Sequence, residues 1–131
     1  MATLRPVVLV VDDDPDTREL LVELLRDAGA RPMAARSSGE ALTAMRCVVP
    51  DVVLTDYRMP GGDGLTLLRA MACDPTFREI PAMLASADAD ATSLAAAAAE
   101  LGAAFLPKPF SLVEVTEAVT IAANRARRLG S

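Results

Sequence analysis

Val7-Val8-Leu9-Val10-Val11 runs directly into Asp12-Asp13-Asp14-Pro15, and the junction of the two pieces decides the fold. Five consecutive apolar residues, four of them valine, are too few for a helix and lack the alternation of a half-solvated strand. They predict a strand buried on both faces. Asp14 has the side chain of a helix N-cap, and Pro15 suits the first helical position, where its missing N–H has no partner to lose. Strand, acidic turn, helix is the start of a βα unit.

The same alternation continues outward. Leu20, Leu21, Leu24, Leu25 and Ala28 predict the buried stripe of the first helix, and Gly29 stops it. Residues 32–35 read as a weak strand. Ser37 and Glu40 have capping-box spacing for a helix to Cys47. Residues 52–55 are a second buried strand ending at Asp56, and residues 59–64 (Met-Pro-Gly-Gly-Asp-Gly) form a loop on turn chemistry alone. Leu65, Leu68 and Ala72 predict the inner face of the next helix. Residues 82–85 are a strand, Asp90 caps an alanine-rich helix to about Leu101, and residues 104–106 are a short last strand. Ser111 and Glu114 form a second capping box. Leu112, Val115, Val119 and Ala122 mark a closing helix that frays at Arg127, leaving one domain over residues 1–131 with a core at about 6–124. Five strands alternating with five helices predict a parallel sheet covered on both faces.

Composition narrows the chemistry. The chain has 131 residues, 52% of them apolar, which suits one packed domain and excludes disorder. Its longest uncharged run, residues 91–99, is about half a membrane span. No secretory signal pattern opens the chain, so a cytoplasmic location and no membrane partner are expected. The absence of histidine removes Ser-His and Cys-His catalysis and most zinc sites. Cys47 and Cys73 are too few for a disulfide framework. A net charge of −5 argues against direct nucleic-acid binding. Of thirteen basic residues twelve are arginine, and the exception is Lys108.

In doubly wound sheets, sites form at the carboxyl ends of the strands. The residues there are Asp12 and Asp13, then Asp56, Ser86 and Lys108. Clustered carboxylates must hold protons or a cation. Ligands that are all oxygen select a hard ion, Mg²⁺ first, with Mn²⁺ as the alternative occupant. A carboxylate left free to react can attack phosphorus, and a fixed ammonium can balance the charge of the transferring group.

With those residues on one rim, the chain resembles a response-regulator receiver domain of two-component signalling over essentially its full length. The pieces that carry the resemblance are Val10-Val11-Asp12-Asp13-Asp14-Pro15, the segment from Leu54-Thr55-Asp56-Tyr57-Arg58 to Gly64, Ile80-Pro81 ahead of Ser86-Ala87, and Lys108-Pro109-Phe110. The resemblance implies a flavodoxin-like, CheY-like sheet of strand order 2-1-3-4-5. It implies Asp56 as phosphoacceptor, with Asp12, Asp13, Asp56 and the backbone carbonyl of Arg58 on Mg²⁺. Lys108 would contact the phosphoryl group, Ser86 and Phe105 would form the switch pair, and a cis bond would precede Pro109. Phe105 stands where tyrosine is often found, so its inward swing makes no hydroxyl contact. The implied partners are a sensor histidine kinase or histidine phosphotransfer protein and an output protein. Dimerisation would use the face of the fourth helix, fifth strand and fifth helix. Arg58 and Asp88, two residues past Asp56 and Ser86, are expected to pair across the site and set the lifetime of the phosphorylated state.

Other functions compete for the same residues. Asp14 is better explained as a cap than as a ligand. Ser86 alone could be a turn hydroxyl, Tyr57 packing, and Arg125, Arg127 and Arg128 complements to a helix C-terminus. Asp12, Asp14, Asp16 and Glu23 have calcium-loop spacing, but Thr17 stands where that loop needs glycine. Asp12-x-Asp14 after a strand also fits a Mg²⁺-dependent aspartyl-phosphate hydrolase, which leaves Asp56 unexplained. A receiver-like module that binds partners without phosphorylation is opposed by the complete set of Asp12, Asp13, Asp56, Ser86 and Lys108.

Overall fold

Apolar runs bounded by turn residues become strands, and 3.6-residue periods become helices, in strict alternation. The computed structural model describes residues 5–87, 91–109 and 111–130, without the side chains of residues 112 and 125–130. Within it lie β1 (Val7–Val11), α1 (Pro15–Asp27), β2 (Arg31–Ala35), α2 (Ser38–Cys47), β3 (Val52–Asp56), α3 (Gly64–Ala72), β4 (Ala82–Ser86), α4 (Ala91–Glu100), β5 (Ala104–Pro107) and α5 (Leu112–Gly130). The strands form one parallel sheet in the order β2-β1-β3-β4-β5. The expected flavodoxin-like order is thus present.

Two cores sandwich the sheet. On one face Leu9, Val11, Val53 and Leu84 meet Ala41 and Met45 of α2, Leu65, Leu67, Leu68 and Met71 of α3, and Leu94 and Ala98 of α4. On the other, Val8, Val10, Val52, Leu54 and Met83 meet Leu21 and Leu25 of α1 and Val115, Val119 and Ala123 of α5. Each fully buried valine or leucine contributes about 1.5–3 kcal/mol before entropy is counted. Strands clad on both faces show no alternation, as the run in β1 predicts.

Three helix faces differ from expectation. In α1, Leu21 and Leu25 are buried, but Leu20 is 55% exposed and Ala28 is also exposed. A helix on a flat sheet buries a narrow arc, and Leu20 lies about 100° around the axis from Leu21. In α3, Leu67 and Met71 replace Ala72 on the inner face, because this helix also packs on Phe77 and α4. In α5, Ala123 is the more deeply buried neighbour of Ala122, and the helix continues to Gly130 rather than fraying at Arg127.

The caps are close to those expected. Asp14 accepts from Asp16 N–H and from the Thr17 hydroxyl at 2.6 Å. Ser111 and Glu114 form a reciprocal capping box. The first box is only half made: Ser37 accepts from Glu40 N–H, while Glu40 reaches back to Arg36 N–H and its guanidinium. Asp90, the expected cap of α4, lies outside the described residues.

Candidate functional site

Strand order reverses between β1 and β3, so the loops leaving these two strands diverge to opposite faces and open a crevice at their carboxyl ends. Asp12 and Asp13 leave β1 there, and Asp56 ends β3. One carboxylate oxygen from each of the three lies within 4.8 Å of the others. Lys108, just past β5, sends its ammonium across β4 to 2.8 Å from Asp56 Oδ1 and 3.8 Å from Asp12 Oδ2. The lysine main chain is tied to the same rim, because its N–H donates to the Ser86 carbonyl at 2.8 Å. The Lys108–Pro109 bond is cis.

Burial divides the carboxylates by type. Asp12 is 3% exposed, Asp56 is partly shielded, and Asp13 faces solvent. Burial pushes the Asp12 carboxyl above the ordinary 3.8; the Asp14 N–H on its Oδ1 opposes this, nearby Asp56 adds to it, and Lys108 opposes it. One ammonium therefore faces two carboxylates, leaving negative charge uncompensated. A hard divalent cation fits this all-oxygen cluster.

Local sequence explains how Asp56 is presented. Its strand residues Val52, Val53, Leu54 and Thr55 are buried, so the chain emerges at one defined point. Gly64 follows the loop and packs directly on it: a Cβ there would lie 2.4 Å from the Asp56 carbonyl oxygen and 2.6 Å from Leu84 Cδ1. Its N–H donates to Tyr57 O at 2.8 Å, closing the loop. The buried Ser38 hydroxyl, at the start of α2, lies 3.2 Å from Gly62 O and 3.1 Å from Asp63 O, bracing that loop from outside. The sequence pattern contained Gly64 only as a turn residue and did not single out Ser38. A small residue where the loop after an acidic strand end enters the next helix is the signal for the first; the second, a contact across 24 residues, left none.

Ser86 ends β4, one position beyond the partner of Asp56 in the ladder, and is 4% exposed. Phe105 pairs with Leu84 in the sheet and packs half-buried on the core beneath α2, α3 and α4. Arg58 is exposed, with its guanidinium carbon 5.9 Å from the centroid of the Tyr57 ring. Asp88, its expected partner, and Phe110 lie outside the described residues. Asp13, Tyr57, Arg58, Met59, Pro60 and Asp63 line a cleft of about 410 Å³ beside the carboxylates. A larger hollow of about 540 Å³, between the far end of α1 and α5, shares no residue with the site.

Fold and site together define a flavodoxin-like α/β domain with an acidic centre at its switch point. The profile of the response regulator receiver domain family matches residues 8–120, and the chain belongs to that family, a regulatory domain. It is 39% identical over 116 residues to the DNA-binding transcriptional regulator NtrC of Salmonella typhimurium, covering 88% of this chain and 24% of that protein. It is 32% identical over 119 residues to the DNA-binding response regulator MtrA of Mycolicibacterium smegmatis, covering 91% and 51%. The chain thus spans about a quarter and about half of the lengths of these relatives. Among solved structures, a response regulator receiver domain protein from Clostridium thermocellum superposes with a TM-score of 0.86 at 28% identity, covering 95% of this chain and 98% of that one.

Proposed function

We propose that this receiver domain is a phospho-accepting signalling switch whose acceptor is Asp56. The observation that carries the proposal is the Asp56 carboxylate at the mouth of β3, 2.8 Å from the only lysine and within 4.8 Å of two further carboxylates. Asp12, Asp13 and Asp56, with the backbone carbonyl of Arg58, would hold Mg²⁺, or Mn²⁺ in its place. When bound, the cation offsets the carboxylate charge and the charge of the arriving phosphoryl oxygens.

The protein's own groups do the rest. An Asp56 oxygen attacks phosphorus; the P–N bond of a phosphohistidine, or the P–O bond of acetyl phosphate, breaks as the new P–O bond forms. The departing imidazole or acetate keeps the bonding electrons, and an imidazole leaving group takes up a proton. Lys108 moves from pairing with the Asp56 carboxylate to pairing with the phosphoryl oxygens. Water later cleaves the acyl phosphate to inorganic phosphate and the free carboxylate. Beyond this self-directed chemistry the domain is not an enzyme.

Ser86 would donate to a phosphoryl oxygen and Phe105 would move inward, altering the α4–β5–α5 face that an output protein or a second copy reads. The phosphoryl source is a sensor histidine kinase or histidine phosphotransfer protein in the cytoplasm. Among the described residues no helix is long and apolar enough to cross a membrane. The names of the relatives support control of transcription as an output, carried by other parts of such proteins, since the net charge of −5 disfavours DNA as a direct partner of this domain. Arg58 and Asp88 would modulate phosphate lifetime by gating the water's approach. Transfer from a phosphorylated histidine kinase, followed with and without chelator, tests the proposal. Chelator-sensitive labelling is expected; labelling that is indifferent to divalent cation contradicts it.

A further inference from the structure

Arg18 lies one turn into α1 and is half-buried. Its Nη1 donates to the main-chain oxygen of Asp12 at 2.8 Å. A guanidinium near acidic groups gains most from a carboxylate, where the bond is charge-assisted. Among the described residues, however, Arg18 forms no ion pair and directs its donor to that neutral carbonyl.

The carbonyl belongs to the peptide that joins Asp12 to Asp13, so the bond fixes the plane from which Asp13 departs. Asp12 has other supports. Its N–H donates to Ala35 O at 3.0 Å, its Oδ1 accepts from Asp14 N–H at 3.0 Å, and its Oδ2 faces Lys108. Asp13 has none of these. Its carboxylate is exposed and, among the described residues, makes no hydrogen bond or ion pair. Among the described residues, only the main chain therefore fixes where the Asp13 side chain starts.

We infer that Arg18 is a positioning residue that aims the Asp13 carboxylate at the divalent-cation site, an inference that rests on the function proposed above. It acts through the peptide rather than through its charge. The groups that shift the Asp12 carboxyl are Asp14, Asp56, Lys108 and Asp13, alongside burial, and Arg18 is not among them. Outer supports of a metal ligand typically carry about 10- to 100-fold in affinity.

Mg²⁺ titration calorimetry on the whole chain tests this with Arg18→Met, Arg18→Lys, Asp13→Ala and the Arg18→Met/Asp13→Ala double variant. Methionine keeps an apolar stem and removes the donor. Arg18→Met is expected to weaken Mg²⁺ about 10-fold, and Arg18→Lys, which keeps a donor group on a shorter stem, to fall between it and the wild type. In the Asp13→Ala background the same substitution is expected to cost less than about twofold, since its target is gone. An equal loss in both backgrounds, or wild-type affinity in Arg18→Met, overturns the inference. If the unaltered chain takes up no Mg²⁺, the proposed function fails, and the inference with it. If only the Arg18 arm fails, the proposed function stands. Should Arg18→Met not fold, Arg18→Lys with and without Asp13→Ala gives the same comparison.

Discussion

At the scale of single residues, burial places the Asp12 carboxylate under electrostatic strain. Burial raises its carboxyl above the 3.8 of an exposed aspartate, so the folded state holds a proton that the unfolded chain has released. In that window stability falls as pH rises, because ionising the buried group destabilises the fold. Asp12→Asn removes the charge and retains the shape. In urea denaturation with chelator at neutral pH it should raise the unfolding midpoint of the domain. The gain should shrink as acidification protonates Asp12 itself; an unchanged midpoint at neutral pH would remove the strain from this residue. Asp14 behaves oppositely: the Thr17 hydroxyl holds its carboxyl below the ordinary range, so its capping contribution is present at neutral pH and lost on acidification.

At the scale of elements, the β3–α3 loop packs directly on the main chain that presents Asp56. Gly64→Ala drives a Cβ into the Asp56 carbonyl oxygen and Leu84 and should cost about 2–3 kcal/mol, measurable by urea denaturation; a cost within experimental error would show that this contact relaxes freely. The opposite case is α4, which buries only Leu94 and Ala98, whereas α3 buries five residues. Its amides should exchange with solvent faster than those of α3, and phosphorylation should change their protection along with β5. Equal protection of α3 and α4 would argue against α4 as the moving part. Contact type accounts for what was legible in the sequence. β1, β3 and β4, covered on both faces, read as short buried runs without polar alternation, with boundaries correct to within a residue. Helix faces read less well, since Leu20 and Ala72 are apolar yet lie off the narrow buried arc. The acidic rim was legible because every member sits next to a recognisable strand end. Arg18 and Ser38 were not, because each acts through a main-chain carbonyl, and any residue type supplies one.

At the scale of the whole molecule, the proposed cation binding would be linked to folding. A ligand that binds only the folded state at 100 times its dissociation constant stabilises that state by about 2.7 kcal/mol. Saturating Mg²⁺ should therefore raise the unfolding midpoint of the unaltered chain, and Asp13→Ala should remove most of the rise at the same concentration. Tyr57, the sole tyrosine in a chain without tryptophan, adjoins Asp56 and gives an optical signal for the same titration. A full-strength response in Asp13→Ala would take that residue out of the cation site. The central claim is that one carboxylate at the β1/β3 crevice accepts the phosphoryl group. Its most direct test is peptide mass mapping after acetyl phosphate and Mg²⁺, with the acyl phosphate trapped by borohydride reduction. The expected result is modification at Asp56 alone, absent with chelator and absent in Asp56→Asn. Modification at Asp12, or stoichiometric modification that persists in Asp56→Asn, contradicts the claim.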